Sequence, residues 1–182
     1  MNIGKTDQRH ITRSYFVQDL QSTCNEILGP VKKGVGISGD ISIMVSGVQA
    51  AIDASPKFVS IQGNIKNGYN EVKRKSMMHE MKGLGKLDDA VIFMQSLLEP
   101  SAYGRMGKGT ELITTLFRMG EGVYQGAVES GWFFSLGVNK PFQRCNLFLA
   151  ECGGGIAASI DDNYINGPPV TALRLTSCWL WT

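Results

Sequence analysis

Histidines and closely paired cysteines are scarce in this sequence, and this bears on metal chemistry. The chain has two histidines and four cysteines, and no two cysteines are spaced as C-x-x-C. A structural zinc site needs four ligands, usually cysteine and histidine in close pairs. We therefore expect no metal site, no cofactor, and free thiols in a reducing compartment.

Long apolar runs are also missing. No stretch approaches the ~18 apolar residues of a membrane-spanning helix, and the N-terminal segment MNIGKTDQRH is too polar for a signal peptide. These features predict a cytoplasmic protein without a membrane span, although export by a route without a classical signal peptide stays open. The net charge of +2 is too small to indicate a nucleic acid or a membrane as partner.

The composition is that of a folded protein. Apolar residues make up 43% and charged residues 19% of the 182 residues, and the 22 glycines lie mostly between apolar runs. This length supports one buried core, and the glycines indicate many tight turns. We predict a single globular domain over residues 1–182.

Periodicity predicts the elements of the fold. Helical spacing of apolar residues predicts helices at 12–28, 48–54, 69–82, 87–98 and 110–129, and alternation predicts strands at 41–45 and 58–65. The short apolar runs that follow predict C-terminal strands over WFFSLGV, NLFLAEC, GIAASI and VTALRLTSCWLW. Together these predict an α+β fold with an N-terminal helix, a helical middle section and a mainly antiparallel sheet.

Two glycine-rich segments are candidates for phosphate-binding loops. Gly34–Gly39 spells G-x-G-x-x-G, but a strand follows it where a dinucleotide site needs a helix. Gly107–Thr110 is similar to the end of an adenylate-kinase-type phosphate loop, with Lys108 as the candidate cation. Because Thr110 opens a predicted helix, an anion could bind at its N-terminus. A simple N-cap at Thr110 is the preferred interpretation.

Histidine and thiol chemistry have few candidates. His79-Glu80 begins like the zinc-protease motif H-E-x-x-H, but residue 83 is glycine, so a second histidine ligand is missing. Cys152 precedes three glycines that could form an oxyanion hole only if a helix followed. Cys152 with His79, or a site around Lys108, stays open as a catalytic alternative.

Acidic pairs are explained by local structure. Asp88-Asp89 precede an apolar helix and suit its N-terminus. Asp161-Asp162-Asn163 are residue types typical of a turn. They also begin like a calcium-binding loop, but residue 165 is Ile, where such a loop needs an oxygen ligand. Neither cluster predicts a site.

The segment from Lys66 to Lys86 is basic. It contains six lysines or arginines against two glutamates, a balance of +4. A basic helix over 69–86 can bind phosphates or an acidic partner, although a solvated face is its usual explanation. The predicted contact residues are Lys73, Arg74, Lys75, Lys82 and the neighbouring Met78.

The C-terminal run Ser177–Thr182 is apolar on both faces if it forms a strand. Trp179 and Trp181 then share one face, and such a strand is either central in its sheet or covered by another chain. Trp179 and Trp181 are therefore further candidates for a partner contact.

We hypothesise from these features a protein without catalytic activity that works by protein–protein contact, as an assembly subunit, adaptor or inhibitor-type binding protein. Another protein or a second copy is the expected partner. One alternative is a small hydrolase or transferase that uses Cys152 or the loop around Lys108. The other is an anion or nucleic-acid binder that acts through the basic helix at 69–86.

Overall fold

The computed structural model describes residues 5–29, 31–32, 35, 40–83, 85, 87–98, 102–108, 111–127 and 129–179. Helix α1 (Lys5–Tyr15), a π-helical stretch (Phe16–Leu20) and α2 (Gln21–Leu28) are continuous. They confirm the helix predicted at 12–28, and its end at Leu28 agrees with the stop expected from Gly29-Pro30. Burial raises the pKa of Cys24 to about 12, which fits a packing role for this thiol.

The remaining described elements are helices and strands in mixed order. The helices are α3 (Asp40–Ala54), α4 (Gly68–Glu71), α5 (Arg74–Gly83), α6 (Asp88–Leu98), α7 (Ser130–Gly137), α8 (Asn139–Ala150) and α9 (Pro169–Trp179). The strands are β1 (Val59–Asn64), β2 (Ala102–Lys108), β3 (Glu111–Met119), β4 (Gly155–Ser159) and β5 (Asp162–Gly167). The predicted α+β class and the helical middle section are thus confirmed. Within these ranges no helix is long and apolar enough to cross a membrane.

The described residues form two antiparallel sheets. The larger has three strands in the order β1-β5-β4, and the smaller is the hairpin β2-β3. In the larger sheet Ile61 lies opposite Ile165, which in turn lies opposite Ile156. Side chains of successive strand residues point to opposite faces, so this register places the apolar side chains of all three strands on one face.

That apolar face packs on α8 and α9. Ile156, Ala158 and Ile165 form a buried cluster with Phe142 and Leu149 of α8 and Ala172 of α9. A second buried cluster joins α2, α5, α6 and α7, with Met77, Met81, Met94, Phe133 and Phe134 among its largest members. The methionine edge of the basic helix is therefore mainly core.

The predicted helix at 110–129 is wrong. Glu111–Met119 is a strand, and its partner is β2, with Ala102 opposite Met119. The segment is rich in β-branched and aromatic residues, which favour strands. The helical spacing of its apolar residues was outweighed by the pairing of two neighbouring segments in a hairpin.

Several predicted strands are also helices. The run at 41–45 lies in α3, most of WFFSLGV lies in α7, most of NLFLAEC lies in α8, and the C-terminal run lies in α9 as far as Trp179. A short apolar run that is buried on most sides shows no periodicity that separates helix from strand. In α9 the first residue is Pro169, which suits the first turn of a helix because its missing N–H has no partner there. Only GIAASI, as β4, confirms the C-terminal strand prediction.

Arg74 connects α5 to the loop that follows β3. Its side chain is 8% exposed, its Nε donates to the Gly122 carbonyl at 2.8 Å, and its Nη1 donates to the Leu98 carbonyl at 2.7 Å. The Arg74 backbone N–H donates to the Glu121 carboxylate at 3.0 Å. Gly122 itself has φ +73°, and a Cβ there would lie 2.4 Å from the Tyr69 carbonyl. Only glycine allows this loop to approach α4 so closely.

Candidate functional site

The second face of the three-stranded sheet is polar. Since side chains alternate along each strand, the register places the following residues on this outer face: Ser60, Gln62 and Asn64 of β1, Asp162, Tyr164 and Asn166 of β5, and Gly155, Ala157 and Ser159 of β4. Helix α3 lies beside Gly155, Ala157 and Asn166 and lines a groove with them. The other end of the outer face carries Asn64 and Asp162, opposite each other in the register.

An acidic turn joins β4 to β5 at that end. Ser159 pairs with Asp162, so Ile160 and Asp161 form a two-residue turn. Ile160 has φ +53°, which is a strained conformation for a β-branched residue, with a cost of roughly 1–3 kcal/mol. The positive φ matches the right-handed twist of the strands, as in other two-residue hairpins. The turn therefore presents two successive carboxylates, Asp161 and Asp162, in a fixed conformation.

The acidic turn is held by β1. The Ile65 backbone N–H donates to the Asp161 carbonyl at 3.0 Å, and the Asn64 Nδ2 donates to the Asp162 Oδ1 at 3.1 Å. Both carboxylates are half-buried. Asn64 thus orients Asp162 through one carboxylate oxygen and leaves the other oxygen available to a ligand.

Lys32 lies behind the acidic turn. Its side chain is 2% exposed, its ammonium donates to the Ile160 carbonyl, and it lies 4.1 Å from the ring centroid of Phe142. The ammonium also faces the Phe134 ring at 5.6 Å. Burial lowers the pKa of Lys32 to about 7, and the nearby Asp161 carboxylate acts in the opposite direction. Lys32 therefore binds the strained residue of the turn from the core side.

Tyr69 forms the wall next to the turn. Its ring stacks on Phe134, with centroids 5.2 Å apart and an interplanar angle of 12°. Burial, and then the Asp161 carboxylate, raise the pKa of the Tyr69 hydroxyl. A Cβ on Gly131 would lie 3.8 Å from both the Tyr69 hydroxyl and the Ile160 Cδ1. The side chains of Tyr69 and Ile160 thus both approach the start of α7 at Gly131.

The predicted basic helix is interrupted. It comprises α4 and α5, and Val72 and Lys73 lie between them. Lys73, Lys75, His79 and Lys82 are exposed, Met78 is half-buried, and Arg74 is buried. Because the Arg74 side chain is bound inside the protein, the predicted partner contact stays open for the exposed lysines but loses this arginine.

Other predicted site residues lie apart from the acidic turn in the fold. Cys152 is half-buried after α8, and its thiol donates to the Leu149 carbonyl at 3.1 Å. The segment after its glycines is β4, as expected, so no helix N-terminus completes an oxyanion hole. Trp179 is the last residue of α9, which overturns the two-faced terminal strand. Trp181 lies outside the described residues.

The phosphate-loop interpretation of Lys108 is wrong in its structural premise. Lys108 ends β2 and its backbone lies opposite Glu111, the first residue of β3. The segment after Lys108 therefore enters a strand, and no helix dipole is present there to bind an anion. Residues 109–110 lie outside the described ranges, as does most of the segment Gly34–Gly39.

The acidic turn was missed as a site by the sequence analysis. Of the turn predicted at Asp161-Asp162-Asn163, only Asp161 lies in the turn, because Asp162 and Asn163 already belong to β5. The partner of Asp162 is Asn64, 98 residues distant in the chain. A signal existed in the pattern, because two acids between the alternating runs GIAAS and NYING mark the tip of a hairpin. Among the described residues no group of three or more His, Cys, Asp or Glu side chains is positioned for a metal ion.

The fold has relatives among solved structures, although no protein-family model and no curated protein matches the chain. Apo telomerase from Candida tropicalis, truncated from its C-terminal domain, is 13% identical with a TM-score of 0.62, covering 98% of this chain and 40% of that one. Telomerase from Candida albicans in complex with the TWJ fragment of telomeric RNA is 14% identical with a TM-score of 0.58. That match covers 98% of this chain and 35% of the telomerase chain. The chain shares its fold with part of each of these two structures. At these identities the likeness shows the fold alone.

The match covers nearly the whole of this chain but less than half of either telomerase chain. Substrates and partners of the telomerases are properties of much longer chains.

Proposed function

We propose that this chain is the nucleic-acid-binding, Mg²⁺-dependent part of a larger nucleotidyl transferase, with the acidic turn as its metal site. The observation that carries the proposal is the pair of carboxylates Asp161 and Asp162, fixed at the tip of a hairpin on the polar face of the three-stranded sheet, in a chain that shares its fold with part of two telomerases. The RNA bound by one of the fold relatives supports a nucleic acid as the partner class.

The donor set of the turn fits Mg²⁺. This ion is commonly held by one or two carboxylates together with substrate phosphates and water, as in polymerase sites. Asp161 and Asp162 supply two carboxylates, and Asp162 keeps one oxygen that Asn64 does not bind. When held by these residues, Mg²⁺ would supply charge neutralisation at the phosphate oxygens.

The residues around the carboxylates determine their geometry. Lys32 binds the Ile160 carbonyl and Ile65 binds the Asp161 carbonyl, so the turn is anchored on both sides. Asn64 stands opposite Asp162 as a neutral residue, so the site carries two negative charges where an aspartate at position 64 would give three. We expect binding that depends on the phosphates of the nucleic acid or nucleotide as additional ligands.

We expect Asp161→Asn and Asp162→Asn each to weaken Mg²⁺-dependent nucleotide binding at least tenfold, because each change removes one of two anionic ligands. Isothermal titration calorimetry with a nucleoside triphosphate and Mg²⁺, followed by a primer-extension assay, measures the loss. The matched control is Asp53→Asn on α3, where the exposed carboxylate accepts a hydrogen bond from Gln49. This change should alter neither the nucleotide affinity nor the primer extension.

The variant Asn64→Asp separates a metal site from a purely structural turn. If the turn binds Mg²⁺, a third carboxylate tightens binding; without metal, like charges directly opposite each other destabilise the strand pair. Unchanged metal affinity in all three variants at the turn would contradict the proposal.

The proposal also assigns the binding of nucleic-acid phosphates to the exposed lysines at α5. Lys73, Lys75 and Lys82 are exposed on or next to α5, and Lys66 is exposed two residues after Asn64. Paired exchange of Lys73 and Lys75 for Glu is expected to weaken binding of single-stranded RNA about equally for all sequences and to reduce its salt slope by about 0.7 per lost phosphate contact. Fluorescence anisotropy over a salt series measures both quantities.

Lys57→Glu with Lys140→Glu is the control for that experiment. Lys57 is exposed, and Lys140 is half-exposed in a 2.8 Å ion pair with Glu80. A salt slope that falls equally in both double variants would show general charge repulsion and no defined contact at α5.

A second candidate function is the protein contact proposed from the sequence. One observation favours it: α3 exposes a stripe of Ile41, Val45 and Ile52, with Val45 54% exposed. These residues recur at helical spacing, and apolar stripes of this kind are common where another surface covers a helix. Val45→Asp should then abolish association in analytical ultracentrifugation without lowering the melting temperature.

A further inference from the structure

A groove of about 490 Å³ separates α3 from the outer face of the sheet. One wall is the α3 surface of Gly47, Val48 and Ala51, and the other is the glycine segment at 153–155 with Ala157. Its volume lies in the range of small-molecule sites, roughly 300–1,000 Å³. Glycine has no side chain and alanine has only a methyl group, so these residues leave the space between the helix and the sheet open.

Asn166 supplies an unsatisfied polar group in this groove. It lines the groove, it is 7% exposed, and its buried Oδ1 accepts no hydrogen bond. An acceptor left without a donor at such a depth is unfavourable. Buried polar groups in folded proteins nearly always have a partner, so this acceptor indicates a ligand that brings a donor.

Glycines form the wall of the groove next to Asn166. A Cβ on Gly154 would lie 2.4 Å from the Asn166 carbonyl, so residue 154 packs directly on β5 with no side chain. A Cβ on Gly47 would meet nothing within 4 Å. The helix side of the groove is therefore open at Gly47, where a flat group can enter.

We propose that this groove binds an unpaired adenine base, whose exocyclic amine donates to the Asn166 Oδ1. An asparagine amide offers an acceptor and a donor in one plane, and this pair matches the amine and ring nitrogen of adenine. The apolar walls then cover the faces of the ring, as in other pockets that hold a base.

The groove lies on the same face as the acidic turn. Asn166 and Asp162 are both on the outer face of β5, four residues apart, which corresponds to about 14 Å along a strand. A nucleic acid bound at the turn can thus place a nearby base in the groove. This inference rests on the proposed function for its choice of a nucleic acid, but the base site can be tested without metal or phosphate.

The test is an NMR titration with adenosine in the absence of Mg²⁺. We expect shifts at Gly153–Gly155, Asn166 and α3, and at least tenfold weaker binding of N6,N6-dimethyladenosine, which has no amine hydrogen. Gly47→Leu should block the groove and weaken adenosine at least tenfold, whereas Gly47→Ala should bind like the parent chain and keep the fold.

Two outcomes would overturn the base site: no shift with adenosine, or equal binding to the parent chain and Gly47→Leu. The metal site is judged separately in the double variant with Asp161→Asn and Asp162→Asn. Adenosine binding that survives there supports the groove even if Mg²⁺-dependent nucleotide binding is absent from the parent chain.

Discussion

Replacing Arg74 by Met is expected to lower the free energy of unfolding by about 3 kcal/mol. The guanidinium donates to the carbonyls of Gly122 and Leu98 at 2.8 and 2.7 Å in a buried position, and each carbonyl left without a donor costs roughly 1–3 kcal/mol. Methionine fills much of the volume but donates nothing. Urea unfolding monitored by tryptophan fluorescence measures the change.

The matched control for Arg74 is Lys75→Met on the same helix. Lys75 is exposed, and surface exchanges of this kind usually change stability by less than about 0.5 kcal/mol. Hydrogen exchange adds a local test: in the Arg74 variant the amides of Gly122 and Val123, which donate to Val72 and Tyr69, should lose protection first. Equal stability of the two variants would mean that the loop after β3 does not depend on Arg74.

Replacing Lys32 by Met is expected to change how stability depends on pH. The folded-state pKa of Lys32 is lowered to about 7 from 10.5 by burial. Between these values the unfolded chain holds more protons, so the free energy of unfolding rises with pH, by up to ~1.4 kcal/mol per pH unit. At pH 7 and below, where folded and unfolded chains are both protonated, the full penalty of the buried ammonium is present.

The Lys32 variant removes this titration. We expect Lys32→Met to be more stable than the parent chain near pH 6, and the difference to shrink as pH rises towards 10, where the neutral amine still donates to the Ile160 carbonyl. Chemical unfolding at several pH values measures it, with the exposed Lys57→Met as control. Parallel curves for parent and Lys32 variant would contradict the lowered pKa.

Local patterns predicted the elements that carry their own signals. The helix at 12–28 has apolar residues at helical spacing and a Gly-Pro stop, and the strand at 58–65 precedes a turn at Asn67-Gly68. The turn predicted at Asp161-Asp162-Asn163 is confirmed at Asp161, whereas Asp162 and Asn163 belong to β5. In each case residues close in the chain decide the conformation, because capping, turn formation and periodicity are short-range effects.

The errors share a physical cause. In α7 Trp132, Phe133 and Phe134 are all buried, so no polar side remains to reveal a helical period. The strand Glu111–Met119 carries apolar residues that suit either structure, and its pairing with β2 decided the outcome. Tertiary burial and strand pairing overrode local preference at these places.

The candidate site could not be assembled from the sequence because its parts come from distant segments. Asn64 meets Asp162 through pairing of β1 with β5, and Lys32 reaches the turn through the core. The basic run was correctly identified by its charge, but the sequence could not reveal that Arg74 points inwards while Lys73 and Lys75 are exposed.

By itself the sequence determined a folded α+β chain with a helical middle section, a basic segment and an acidic turn, because composition, periodicity and turn residues act over a few positions. Only the tertiary structure decided that the acidic turn faces Asn64, that Lys32 is buried behind it, and that Asn166 lines a groove under α3. These relations depend on strand order and register, and on which helix covers which face of the sheet. Such long-range choices are made by packing the whole chain, so no local pattern contains them.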